Sequence, residues 1–449
     1  MFAEGSIGKV RYAGLAYMLQ EDPDVKMDLQ QNAPAFFESP EVGEFLERKY
    51  PEQGAKLQSA IVGLFSGDAA AATLADLTTH RSGIGDATRD QARLTQEKGV
   101  EHQFTIPELL LIPDEARTIP KGENGRLKFQ TNPKLPDSEY GAHQYSNLGY
   151  MLLGLAMEAS WDAAKNPAKD KEIKDYKQLT NDYMLHPIEG RAAGKGLSFD
   201  QTKFSVEATD DVARSSWLEA GRLADCTKFS GANAAGGMFA SADDSTKFFN
   251  EFFKGFPDTP TWGEENVNPF LSDDAIAAMM AEGLKFGNCG RNGNPNTPRN
   301  GNERFQAPGF AFEVDQGTGK MCAFEKSGGT FGGASFLAFD VESGQTKIDM
   351  CAQENVTAEI ATLVGVDIKN MVAAYSDEAG NFNRHAMIAE KMPEILEKTP
   401  APEISQDEVT LALNAVFEAL KDNGAAAGDS ADNAKIPNQT SFEKGGGRL

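Results

Sequence analysis

The sequence is poor in the groups that would organise a metal site, a disulfide framework or a membrane span. Four cysteines (Cys226, Cys289, Cys322 and Cys351) are scattered through 449 residues without CxxC spacing. That excludes a dense disulfide framework and argues against structural zinc. Cys322 and Cys351 lie in apolar runs and are expected in the core. His102, His143, His186 and His385, like His80, show no HxH or HExxH ligand spacing. No metal or cofactor is expected. No run approaches about 18 apolar residues, so no transmembrane helix is expected. The first residues, MFAEGSIGKVRY, are not a secretory signal as given, because no basic segment is followed by an apolar one. Localisation is left open.

Positive charge is the scarcer sign. Lys and Arg total 43 against 67 Asp and Glu, a net charge of −24. A polyanion would be repelled over most of such a surface, so nucleic acid is not an expected partner. A polybasic membrane anchor is excluded on the same ground. Hydrophobic residues make up 40% of the chain, enough at this length to bury a large core without staples.

Residues 6–20 carry Ile7, Val10, Leu15 and Leu19 at near-helical spacing, and the spacing predicts a helix there that stops before Pro23. Residues 31–75 hold helical fragments, and LADLTTHRSGIGD (74–86) reads as a short helix entering a glycine turn. The stretch from about 87 to 140 is polar and reads as long surface connections. YSNLGYMLLGLAMEA (145–159) is an apolar helix after an irregular lead-in, and SADD at 241–244 is capping chemistry for a helix within 236–253. Residues 286–305 read as a Gly/Asn/Pro loop. GFAFEV, KMCAFEKSGG, GASFLAFDV and QTKIDMCAQ then read as strands of a meander within about 308–352. Helices are expected again at about 355–376 and 405–421, and a disordered tail at 422–449. The reading is α+β, an antiparallel sheet flanked by helices with a helical subdomain over about 30–285. One unit spans 1–375, a helical extension spans 376–421, and the tail follows.

Three short motifs carry possible chemistry. In Ser6-Ile7-Gly8-Lys9, positions i and i+3 of a helix share a face, so the serine hydroxyl and the lysine amine can meet. A buried lysine with a lowered pKa can take the serine proton. In Tyr145-Ser146-Asn147, a phenol near a lysine could titrate low enough to relay a proton, and an amide could hold a substrate carbonyl. In Lys326-Ser327-Gly328-Gly329, glycine at a strand end lets a substrate lie along the edge, and the N–H groups beyond it can serve an oxyanion hole. Each motif alone is common in chains with no such chemistry.

Together, their order and spacing resemble the serine β-lactamase and penicillin-binding-protein superfamily. That group uses SxxK, then YxN or SxN, then KTG or a variant. LTTHRSGIGD, QYSNLGYMLLG, AAGGMFASADDSTKFF and KSGGTFGGASFLAFD further resemble phrases of its class C β-lactamase-related branch. The resemblance spans roughly residues 4–365 and implies the β-lactamase/transpeptidase-like fold. It implies that Ser6 is the acylated nucleophile, Lys9 its proton acceptor, and Tyr145 a proton relay and deacylation base. Asn147 would bind substrate oxygens, and Lys326 and Ser327 would line the strand edge and attract a carboxylate. The N–H groups of Ser6 and Gly329 would form the oxyanion hole, Gly328 would belong with Gly329 to the substrate-binding strand edge, and His80 would be structural. The implied reaction is acyl transfer through an acyl-enzyme on a small molecule or peptide: a β-lactam, a small ester or a D-amino-acid peptide. The long polar insertions favour an esterase or D-peptidase over a β-lactamase. Members are often periplasmic or secreted. The resemblance does not fix the oligomeric state.

The family's nucleophile motif normally follows about 50 or more residues that form a helix and the first two strands. Here five residues precede Ser6. The sheet is therefore expected to be incomplete at its N-terminal side, with an unprotected edge, exposed apolar residues, a nucleophile prone to fraying and marginal stability. A non-catalytic or truncated family member acting as a binding or scaffold protein is the competing expectation.

Overall fold

A computed structural model describes residues 1–86, 105–111, 141, 143–204, 216–219, 222–225, 233–260, 267–285, 287, 302–330 and 333–352. The expected helices beyond 352, the 375/376 boundary and the tail lie outside the described residues.

The helix that follows Ser6 lies at the centre of the described residues. A 3-10 turn, Gly5–Ile7, leads into α1, Gly8–Glu21. Gly8 to Leu19 are buried on every side, as in a helix surrounded by other elements rather than lying on a surface. The expected helix start at Ser6 is thus a 3-10 turn instead. Gly5 adopts a left-handed φ of +54°, and a Cβ there would stand 2.7 Å from the backbone of Gly329. No regular helical turn fits into that contact.

Next in the chain come α2 (Ala33–Glu38), α3 (Pro40–Lys49), α4 (Gly54–Leu64) and α5 (Leu74–Thr78). Three of the four starts are capped by the residue type that suits them: Asn32, Ser39 and Thr73 accept backbone N–H groups at α2, α3 and α5. Residues 106–110 form α6, Ile106–Leu110, with Ile106, Leu109 and Leu110 buried. Part of the stretch read as surface connection is therefore core; its apolar IPELLL run outweighs the polar residues around it. The helix after the YSN motif is α7, Asn147–Lys165, capped by Ser146. α8 (Tyr176–Thr180), α9 (Ala242–Phe252) and α10 (Asp273–Leu284) complete the described helices. Ser241 caps α9 through the N–H of Asp244, as the SADD run implies.

Short strands β1 (Phe2–Ala3), β2 (Thr202–Lys203) and β5 (Phe239–Ala240) pair in the order β1-β5-β2, and β3 (Ser216–Glu219) pairs with β4 (Arg222–Asp225). The principal sheet is an antiparallel meander of β6 (Asn302–Gln306), β7 (Ala311–Asp315), β8 (Met321–Thr330), β9 (Gly333–Asp340) and β10 (Gln345–Ala352). It has one strand more than the sequence suggested. β6 emerges from the end of the Gly/Asn/Pro loop because Phe305 pairs opposite Phe312 and the two rings stack at 5.1 Å.

The sheet's apolar face is not left bare. Phe253, just after α9, stacks on Phe324 at 4.9 Å and meets Phe339 at 5.0 Å. Phe312, Phe324, Leu337 and Phe339 are all buried, so the expected exposure does not arise on these strands. β10 is a terminal strand of the sheet; one of its N–H groups, at Thr346, is taken by Asn250 of α9.

The segment before Ser6 is pinned at several points, contrary to the expected fraying. Glu4 N–H donates to Met238, and Ser335 Oγ donates to the Glu4 carbonyl at 2.6 Å. The Glu4 carboxylate is fully buried against Arg11 at 2.8 Å and accepts from Ser245 at 2.6 Å. The Arg11 guanidinium lies 3.9 Å from the Phe248 ring centroid. Cys322 is half-buried rather than core, because β8 exposes that end. Cys226, Cys289 and the Cys351 side chain lie outside the described residues. No described helix is long and apolar enough to cross a membrane.

Candidate active site

Three separate parts of the chain converge on Ser6. Lys9 Nζ lies 2.9 Å from Ser6 Oγ, as the i, i+3 spacing predicts. Tyr145 Oη lies 2.5 Å from the same Oγ. Lys9 Nζ also donates to Asn147 Oδ1 at 2.7 Å and to the carbonyl of Ala235. Lys326 Nζ stands 5.3 Å from the Tyr145 ring centroid. Ser6, Lys9, Tyr145, Asn147 and Lys326 thus form one cluster.

The strand edge is shaped by glycine. The β7–β8 ladder ends at Ala311 opposite Glu325, so among the described residues no strand pairs with that edge of β8 from Lys326 onward. The turn carrying Ser6 packs there. A Cβ on Gly328 would stand 2.2 Å from the Glu4 carbonyl oxygen and 3.0 Å from Ser6 N. One on Gly236 would stand 2.7 Å from the Gly5 carbonyl. Three backbones therefore meet with no room for side chains, and this fixes the position of Ser6. Gly329 abuts Gly5 from the strand side. Ser327, in contrast, is exposed, and the pleat puts it on the face opposite Lys326. No described contact joins its side chain to the cluster.

Burial sets the protonation states. Lys9 is fully buried, and this, with the nearby Lys326 charge, holds its amine well below the ordinary lysine value; Asp86 acts in the opposite direction. Lys326 is pushed down to about 7 by burial and by Arg304. Tyr145 moves the other way: burial raises its phenol, outweighing the hydrogen bond from Ser6. A tyrosine lowered by its lysine neighbours is therefore not what the site holds; desolvation of the phenolate dominates.

A neutral amine has two N–H groups and one lone pair. The Ala235 carbonyl and Asn147 Oδ1 can only accept, so they take both N–H groups. In the deprotonated amine the lone pair would then face the Ser6 hydroxyl, where the ammonium instead donates to Ser6 Oγ. This depends on the orientation of the Asn147 amide, and Asp86 sets it. Asp86 Oδ1 accepts Asn147 N–H at 3.0 Å, and Oδ2 accepts its Nδ2 at 3.3 Å. Asn147 accordingly serves Lys9, a contact beside the substrate binding expected of it.

His80 adopts a left-handed φ of 59° in the LTTHRSG turn. Its Nδ1 accepts the Ser146 N–H at 3.2 Å, and its ring lies 4.4 Å from that of Tyr145. Burial and the surrounding cations hold it neutral. Tyr150 donates to Thr78 at 2.6 Å and closes the far side of the same turn. Asp86, Ala235 and Arg304 escaped sequence reading as site residues. Asp86 and Ala235 sit inside quoted phrases, LTTHRSGIGD and AAGG, where a charged end and a carbonyl are the only signals. Arg304 carried none, since its strand was read as loop.

The sequence model of the Beta-lactamase family matches residues 1–358. Solved structures similar to this chain include a D-stereospecific amidohydrolase from Streptomyces sp., 16% identical, with a TM-score of 0.49 over 81% of this chain and 86% of that one. Another is a penicillin binding protein from Bacillus halodurans, 14% identical, with a TM-score of 0.46 over 81% and 85%. A class C beta-lactamase is 14% identical, with a TM-score of 0.43 over 79% and 77%. No curated protein matches the chain. Scores this low carry no functional weight, and the assignment rests on the family match. Since that match covers most of the sequence and contains every residue of the cluster around Ser6, the chain belongs to the Beta-lactamase family.

Proposed function

We propose that the chain is a serine hydrolase working through a covalent acyl-enzyme on Ser6, with an ester, a D-amino-acid peptide or a β-lactam as substrate. The observation that carries the reading is the hydrogen-bonded set of Ser6, Lys9 and Tyr145, with Lys9 buried and depressed in pKa. In acylation, Lys9 takes the hydroxyl proton as Ser6 Oγ bonds to the substrate carbonyl carbon. The carbonyl oxygen becomes an oxyanion facing the N–H groups of Ser6 and Gly329. Tyr145, kept as a phenol by burial, hands a proton to the leaving group as its bond to carbon breaks, and is reprotonated from Lys9. In deacylation, a water gives its proton through the same pair and its oxygen replaces Ser6 on the acyl carbon. Tyr145 is thus a relay rather than a free phenolate base.

Lys326 beside the open β8 edge supports preference for a substrate with a carboxylate. Among substrate classes, esters and D-peptides are favoured over β-lactams on the polar insertions in the sequence. The test is intact mass after incubation with a penicillin or an activated short-chain ester, using the native protein and Ser6→Ala. An acyl adduct on the native protein alone is expected with at least one reagent. No adduct with either, on folded protein, would sink the proposal.

A further inference from the structure

Two buried ring nitrogens beside the cluster have no hydrogen-bond partner among the described residues: Nε2 of His80 and Nε2 of His143. Their rings stand 5.8 Å apart at nearly right angles, and the His80 ring lies 4.4 Å from that of Tyr145. A buried polar atom left unpaired is costly and calls for an explanation.

The proton on each ring can be placed from its other nitrogen. His80 Nδ1 accepts the Ser146 N–H at 3.2 Å, so the proton of the neutral ring is on Nε2, and that atom is a donor. At His143 the assignment runs through Gln306. Gln306 Nε2 donates to the carbonyls of Ala307 and Phe310, both at 2.9 Å. Carbonyls can only accept, which fixes the amide and leaves Oε1 as the atom that bonds the His143 ring. His143 therefore donates to Gln306, and it does so through Nδ1, because its Nε2 is the unpaired one. Burial holds both rings neutral: His143 is pushed down to about 4, with Arg81 and Lys326 acting in the same direction, and His80 is lowered by burial and by Lys326. A neutral ring with its proton on Nδ1 carries a lone pair on Nε2. The two unpaired atoms are thus a donor and an acceptor on neighbouring rings.

We propose that His80 Nε2–H donates to His143 Nε2, completing a hydrogen-bond chain from Gln306 through both imidazoles to the Ser146 backbone. A small turn of the two rings makes the bond and satisfies both atoms. The chain joins the end of β6 to the segment that carries Tyr145, and it fixes the ring on which Tyr145 packs. No described contact joins either histidine to Ser6. Both are positioning residues, acting through Tyr145 on its hydrogen bond with Ser6. That role rests on the reaction proposed above; the chain of hydrogen bonds does not.

The sequence has five histidines, few enough for nitrogen NMR of protein labelled with ¹⁵N-histidine near neutral pH. His80→Asn and His143→Gln assign the signals by their loss. Two neutral rings of opposite tautomer are expected, with the His80 proton on Nε2 and the His143 proton on Nδ1, and a coupling between the two Nε2 atoms across the hydrogen bond. Identical tautomers, a charged His143 or no coupling would overturn the proposal. Turnover of an activated short-chain ester is the second arm. His143→Phe keeps a ring but removes the acceptor, and is expected to lower kcat about tenfold with KM unchanged, as for a misplaced catalytic group. His143→Gln can both accept and donate there and should recover most of the loss. Native kcat in His143→Phe, or equal loss in both variants, would remove the positioning role. If the native protein turned over no ester while the tautomers stood as expected, the reading of Ser6 and the positioning role would fall and the hydrogen-bond chain would stand. The native spectrum decides the chain if His143→Phe does not fold.

Discussion

Lys326 shows how one residue ties binding, stability and pH together. Its pKa of about 7 in the folded protein, against an ordinary 10.5, means that its charge disappears as the pH rises through neutrality. For a carboxylate-bearing substrate, kcat/KM is expected to fall as pH rises through about 7, while an uncharged ester shows no such limb; pH–rate profiles on the two substrates check this. The stability sign is opposite. Below about 7 folded and unfolded chains both hold the proton, and the cost of burying the charge is complete. Between about 7 and 10.5 only the unfolded chain holds it, so this contribution improves as pH rises. Lys326→Met should therefore melt at a higher temperature than the native protein near pH 7 while losing its preference for carboxylates. Asp86 acts through Asn147 and Lys9, as a positioning residue. Asp86→Asn is expected to lower kcat by about tenfold to a hundredfold, as for a misoriented catalytic group. It should also move the acid limb of activity to lower pH, because Asp86 is the group that raises the Lys9 pKa. A purely structural role would lower activity without moving that limb.

At the scale of elements, the site depends on how tightly the turn before α1 is clamped. Glu4→Gln leaves Arg11 fully buried with no carboxylate and is expected to cost about 3–5 kcal/mol, whereas Glu4→Gln with Arg11→Met should recover most of it. Denaturant melts of both variants check this. Gly328→Ala would press a methyl onto the Glu4 carbonyl and Ser335 Oγ, an overpacking cost of about 1–3 kcal/mol, with loss of acylation because Ser6 rides on the same turn. Much of this layer was legible in the sequence. The SxxK spacing put Ser6 and Lys9 on one face, the YSN and KSGG phrases marked the other two walls, and the apolar runs gave four of the five meander strands. β6 was missed because Asn302–Gln306 follows a loop-forming composition and reveals its pairing only through Phe305 and Phe312. α6 was missed for the converse reason, a short apolar run inside a polar stretch. The interlocked glycines were invisible because no local pattern records a contact between residues more than 200 positions apart.

For the whole molecule, the net charge of −24 sets a repulsive field that an anionic substrate must cross to reach Lys326. Raising ionic strength screens the long-range repulsion first. The value of kcat/KM for an anionic substrate is therefore expected to rise with salt at low ionic strength, and that for a neutral ester to stay flat; a salt titration at fixed pH decides it. The same scale explains how the proposed nucleophile acquires its neighbours. Ser6 finds Tyr145 139 positions away, and Lys9 finds Asn147 and Ala235 138 and 226 positions away. In the unfolded chain Ser6 is an ordinary alcohol with none of these neighbours. The number of acyl groups taken up per chain would then be a head-count of folded molecules, readable in a mixture where spectroscopic probes report only an average.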